Sequence, residues 1–125
     1  MSKKIFIIED DIFLSDIIAR KLAVEGWELS HSLEGERAIQ EAEEKQPDVI
    51  ILDLVLPGLD GFDILKKLKE NQRTKNIPVI VLSNLNKKED IAKAMKLAAS
   101  SFLVKADVSL DDIVSEMKKV GGSVV

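Results

Sequence analysis

Cysteine and tyrosine are missing from this chain of 125 residues, and histidine and tryptophan occur once each. The first absence excludes a disulfide framework, a thiolate metal site and a thiol nucleophile. Apolar runs are strand-sized, far too short to span a bilayer. Met1-Ser2-Lys3-Lys4 leads straight into a strand-like run with no signal peptide visible, so a soluble cytoplasmic protein is expected. Lysine and arginine form no stripe with interleaved aromatics, and the formal net charge of -4 argues against direct nucleic-acid binding. What remains is a sequence that is 46% apolar, of a length that suits one domain burying roughly two-thirds of its unfolded surface. Residues 1–125 are therefore read as a single domain with its core at 4–120 and a short tail at 121–125.

The organising stretch is Val49-Ile50-Ile51-Leu52-Asp53, with Pro47-Asp48 before it and Leu56-Pro57-Gly58 closing the segment. Four apolar residues in a row predict a strand buried on both faces. A carboxylate in such a run costs several kcal/mol if buried without a partner, which places Asp53 at the strand's carboxyl end. Lys4–Ile8 predicts another buried strand, and Glu9-Asp10-Asp11 ends it abruptly. Helical spacing of Phe13, Leu14, Ile17, Ile18 and Leu22 predicts a helix over 12–24, stopped by Gly26. Trp27 to His31 reads as a half-exposed edge strand, and 35–45 as a polar helix turning Ala38, Ile39 and Ala42 inward. Asp60-Gly61 opens a third helix, and 71–76 is a polar connector. Ile77 to Leu82 predicts a fourth strand, and Asn86-x-x-Glu89 has the form of a capping box for a helix to about Ala98. Ser101–Val104 is the last strand, and Ser109-x-x-Asp112 caps a final helix through Val120.

Five strands alternating with five helices predict an α/β fold: a doubly wound parallel sheet covered on both faces, in the flavodoxin-like order 2-1-3-4-5. That order sets the carboxyl ends of strands 1, 3, 4 and 5 side by side. The residues there are Glu9, Asp10, Asp53, Ser83 and Lys105. Three carboxylates from two neighbouring strands repel one another unless a cation joins them. Oxygen ligands with no His or Cys select Mg2+, or Mn2+. A carboxylate nucleophile, a metal, a hydroxyl and a lysine compose a site for phosphoryl transfer onto aspartate. Asp11 and Asp60 read as helix N-caps, although the metal-binding acidic pair could also be Asp10-Asp11.

Four segments together resemble the receiver domains of two-component response regulators: Ile7-Ile8-Glu9-Asp10-Asp11, Ile51-Leu52-Asp53 with Leu56-Pro57-Gly58-Leu59-Asp60-Gly61-Phe62, Pro78-Val79-Ile80-Val81-Leu82-Ser83, and Phe102-Leu103-Val104-Lys105. The resemblance implies that Asp53 accepts a phosphoryl group from a histidine kinase or histidine phosphotransfer protein, and that no external substrate is turned over. It further implies direct Mg2+ ligation by Asp10, Asp53 and the backbone carbonyl of Val55, with Glu9 acting mainly through water. Lys105 would pair with a phosphoryl oxygen, Ser83 would move to bond another, and Phe102 would follow it inward. That shift would alter the face of the fourth helix, fifth strand and fifth helix, where a downstream protein target reads the state.

Three residues depart from the family pattern, one of them Ala98, which stands where a glycine is common before strand 5. Ala106 stands where proline usually follows the lysine. A cis bond to a non-proline costs about 2.5–4 kcal/mol, so a trans Lys105–Ala106 bond is expected. Asn84 replaces the small residue after the strand-4 hydroxyl, and would narrow access or bond the phosphoryl group. Val55 and Leu85 are apolar and cannot orient a water, which implies slow self-dephosphorylation. Lys87, Lys88, Lys93 and Lys96 face a possible counterpart in Asp111, Asp112 and Glu116, the basis for a weak symmetric homodimer. The alternatives are a phosphatase, for which Val55 is the wrong residue, a flavin- or nucleotide-binding module, whose phosphate the acidic first loop would repel, and a degenerate receiver acting by binding alone.

Overall fold

The computed structural model describes residues 3–32 and 34–121. Its main sheet has five parallel strands: β1 (Lys4–Ile8), β2 (Glu28–Ser32), β3 (Val49–Leu52), β4 (Val79–Ser83) and β5 (Ser101–Val104). Their spatial order is β2-β1-β3-β4-β5, the predicted one. Helices α1 (Ile12–Val24), α2 (Gly35–Lys45), α3 (Gly61–Glu70), α4 (Lys88–Lys96) and α5 (Leu110–Gly121) connect and cover them. No described helix is long and apolar enough to cross a membrane.

Strand alternation divides the core in two. Phe6, Ile8, Ile50, Leu52, Val79 and Val81 point to one face and meet Ala38 and Ala42 of α2, Leu65 and Leu68 of α3, and Ala94 of α4. Ile5, Ile7, Val49, Ile51, Ile80 and Leu82 point to the other, against Ile18 and Leu22 of α1 and Ile113, Val114 and Met117 of α5. Each such side chain contributes about 1.5–3 kcal/mol when taken fully out of water, so both faces must be covered for the central strands to be stable.

Local signals account for most element ends. Asp11 caps α1 by accepting from the Leu14 N–H, and Asp60 caps α3 by accepting from Phe62. Ser109 and Asp112 exchange hydrogen bonds reciprocally at the head of α5. The Asn86 capping box does not form. Helix α4 starts at Lys88 with Lys87 as N-cap and no side-chain cap bond. It ends at Lys96 rather than Ala98, because Ala98 takes a left-handed conformation with φ of 71°. β2 is one residue later than expected, since Trp27 is buried in the core instead of alternating along the edge. The polar connector also hides a core contact: Thr74 is buried and its hydroxyl donates to the Leu68 carbonyl at 2.6 Å. Gly121 belongs to α5 instead of the tail, where a Cβ would stand 3.2 Å from the Trp27 ring. Gly122 and the rest of the tail lie outside the described residues.

The largest addition lies directly after Asp53. Val55–Leu56 and Leu59–Asp60 pair as a small antiparallel hairpin, turned by Gly58 at φ of 70°. Gly61 closes it, its N–H donating to the Leu54 carbonyl at 3.0 Å. A Cβ at Gly61 would overlap Leu54's backbone and stand 2.6 Å from that carbonyl oxygen. Gly61→Ala should therefore lower stability by about 2–3 kcal/mol, measured by urea unfolding. A loss within error would show that the hairpin yields freely.

Candidate phosphoryl-acceptor site

The register of the sheet builds the site from backbone upward. Ile8 pairs with Leu52, and the ladder runs one step further, the Asp53 N–H donating to the Ile8 carbonyl at 3.0 Å. Glu9 and Asp10 therefore leave β1 beside the point where Asp53 leaves β3. Ser83 pairs with Val104, and the Lys105 N–H donates to the Ser83 carbonyl at 2.9 Å, so the hydroxyl and the lysine also leave side by side.

Glu9, Asp10 and Asp53 each present a carboxylate oxygen within 4.8 Å of the others. Asp11 is outside this set and spends its side chain on the helix cap, so the clustered carboxylates of the first loop are those of Glu9 and Asp10. Glu9 and Asp53 are buried, with 1% and 4% exposure, whereas Asp10 faces solvent. Lys105 reaches both buried acids: its Nζ is 2.7 Å from Glu9 Oε2 and 2.9 Å from Asp53 Oδ2. Asp53 is fixed further by the Val55 N–H, which donates to its Oδ1 at 3.0 Å. The Asp11 N–H donates to Glu9 at 3.1 Å. The Lys105–Ala106 bond is trans, as expected, and the lysine reaches the acids without the usual proline.

Burial pushes the Glu9 carboxyl up to about 7, a rise that Lys105 opposes and the nearby Asp53 charge reinforces. Burial works against the Lys105 ammonium, but its bonds to Glu9 and Asp53 outweigh that and raise its pKa above the ordinary value. One ammonium thus serves two buried carboxylates, with Asp10 adding a third negative group. The donors are all hard oxygens, converge from two loops, and with all three acids ionised are left two positive charges short. A divalent oxygen-seeking ion such as Mg2+ fits this set.

Ser83 is fully buried, its Oγ accepting from the Leu85 N–H at 3.3 Å. Phe102 on β5 is half-buried against the α2–α3–α4 side of the core. The Asn84 side-chain oxygen has a partner within the chain. That oxygen accepts from the Ala106 N–H at 3.1 Å. The three α5 acids have partners within the chain, Asp111 with Lys21, Asp112 with Ser109 and Glu116 with Ser101, and none is paired with an α4 lysine. The apolar residues whose spacing predicts α1 do not all face the core. Ile18 and Leu22 are buried, but Phe13 is 82% and Ile17 52% exposed. The run of apolar residues on too many sides of the helix carried that signal.

Residues 5–118 match the family model described as the response regulator receiver domain. A response regulator, PleD of Caulobacter vibrioides, is 34% identical over 113 residues, covering 90% of this chain and 24% of that protein. The chain spans about a quarter to a half of the length of the curated relatives it matches. Among solved structures, the Francisella response regulator 1452 receiver domain superposes with a TM-score of 0.86 at 27% identity, covering 95% of this chain and 96% of that one. The phosphorylated cyanobacterial phytochrome response regulator RcpA gives 0.81 at 30% identity, covering 97% and 94%. With the order of its strands, the acidic cluster at their carboxyl ends and the lysine that bridges it, this chain belongs to the response regulator receiver domain family.

Proposed function

We propose that Asp53 is the phosphoacceptor of a Mg2+-dependent phosphorelay. The carrying observation is the ammonium of Lys105 held within 3 Å of both buried carboxylates at the tips of adjacent strands. Asp53 supplies the nucleophilic oxygen. It attacks phosphorus in a phosphohistidine of a kinase or phosphotransfer protein, the P–N bond breaks, and the imidazole leaves with the bonding electrons and takes a proton. The product is an acyl phosphate on Asp53. Lys105 then pairs with a phosphoryl oxygen, and the Ser83 hydroxyl exchanges its backbone contact for another. Phe102 follows Ser83 inward, which alters the α4–β5–α5 face read by a downstream protein. Glu9, Asp10, Asp53 and the Val55 carbonyl would hold Mg2+, which supplies positive charge to the transferring group. The exposed Phe13 and Ile17, on the helix that starts directly after the acidic pair, suit an apolar contact with the donor protein.

Val55 is 56% exposed beside Asp53 and carries no group that could align water, which supports a long-lived phosphoryl state. The test is incubation with Mg2+ and acetyl phosphate followed by intact mass. A single phosphoryl adduct that depends on Mg2+ is expected. No uptake under these conditions would overturn the proposal in favour of a receiver that signals by binding alone.

A further inference from the structure

Two of the three departures from the family pattern meet in space. Asn84 directly follows Ser83, and Ala106 directly follows Lys105. The Asn84 Oδ1 accepts from the Ala106 N–H at 3.1 Å, a bond joining residues 22 apart in sequence. A proline at 106 has no N–H and could not make it. The two residues are therefore a donor and acceptor of one bond, which a proline at 106 would abolish.

Their position gives the bond its consequence. The β4–β5 ladder ends when the Lys105 N–H donates to the Ser83 carbonyl at 2.9 Å, and among the described residues β5 has no further neighbour on its other side. Lysine has four flexible side-chain torsions, so its ammonium is aimed only as well as its backbone is held. Asn84 extends the hold by one peptide beyond the last rung, fixing the far side of Lys105. The same residue pair carries the Ser83 hydroxyl and the Lys105 ammonium, the two groups assigned to phosphoryl oxygens above. We propose that Asn84 is a positioning residue for phosphoryl transfer, which clamps the Ala106 amide and thereby sets the spacing between Lys105 Nζ and Ser83 Oγ. This rests on the proposed phosphoacceptor role of Asp53.

The experiment combines two readouts on the full chain. In Asn84→Ala, the Ala106 amide should exchange with solvent faster, and phosphoryl uptake from acetyl phosphate should slow about fivefold, the equivalent of one neutral hydrogen bond. Mg2+ affinity should stay as in wild type, since no ligand is removed, and the chain should remain folded with only a slight loss of stability. Asn84→Asp, which keeps the acceptor oxygen, should restore protection of the amide. Ala106→Pro should slow uptake as well, and adding Asn84→Ala to it should cost nothing more. Uptake at the wild-type rate by Asn84→Ala, with or without a freed amide, would overturn the proposal. A wild-type protein that takes up no phosphoryl group would instead defeat the reading of Asp53, while the amide measurement would still report on the clamp.

Discussion

Asp53→Asn should end phosphoryl uptake outright while leaving the fold intact. The amide nitrogen and oxygen of asparagine do not displace a leaving group from phosphorus, so no adduct should appear at any time or Mg2+ concentration. The structural cost is small because an asparagine oxygen can still accept from the Val55 N–H, as Asp53 Oδ1 does at 3.0 Å. Removing the charge also removes one of the influences that raise the Glu9 carboxyl, which should then titrate closer to its ordinary value. Unfolding free energy is expected within about 1 kcal/mol of wild type, since one ion pair to Lys105 is lost while one carboxylate repulsion is relieved. Intact mass and urea titration check the two halves. An adduct on the variant would place the acceptor elsewhere in the acidic cluster.

Lys105→Met should have the second largest effect, and it is pH-dependent. Methionine fills a similar volume, but Glu9 and Asp53 lose the cation that contacts both at under 3 Å. Uptake should slow roughly 100-fold, as for removal of one preorganised charge-stabilising donor. Without Mg2+, stability at mildly alkaline pH should fall by about 3 kcal/mol, the low end for a broken buried pair because the lysine keeps 19% exposure. Burial already holds the Glu9 carboxyl near 7, against an ordinary value of 4.5, and without Lys105 it rises further. A carboxyl whose folded pKa is raised contributes stability that is fully present below 4.5 and lost as pH climbs through the folded value. The deficit should therefore be small near about pH 5, where Glu9 takes up a proton, and widen toward about pH 8. Millimolar Mg2+ should restore much of it by supplying the missing charge, and the variant should bind the ion more tightly because no ammonium competes. Urea titrations across pH with and without Mg2+ decide the matter. A deficit independent of both would mean that the lysine acts through packing alone.

The fold was legible because its strongest signal, apolar runs of strand length, survives without context. Four such runs lie in the sheet interior or against it, and each is followed by a polar residue that leaves at the same edge. The site was legible for the same reason: Glu9, Asp10, Asp53, Ser83 and Lys105 are the first polar residues after their strands, apart from Ser83, which ends its own. What stayed hidden depends on contacts between segments distant in sequence. Periodicity of α1 cannot tell that Phe13 faces water, since its apolar residues surround more than one face. The missing cap at Asn86 reflects a loop whose path is set beyond the helix, where Lys87 takes the cap position. The partners of Asn84 and of Lys105 lie 22 and 52 residues away, and no local rule reaches that far.

Strand β5 differs from its neighbours in one respect. β1, β3 and β4 are sealed on both faces except for Lys4, whereas every residue of β5 is only half-buried. Displacing it by a small amount uncovers little apolar surface and disturbs one ladder rather than two. A signal that favours the shifted state by about 5.5 kcal/mol would turn a hundredfold minority into a hundredfold majority, and any target that prefers that state adds its own differential affinity. The sheet thus carries a half-buried strand at its margin, next to the lysine that touches Asp53.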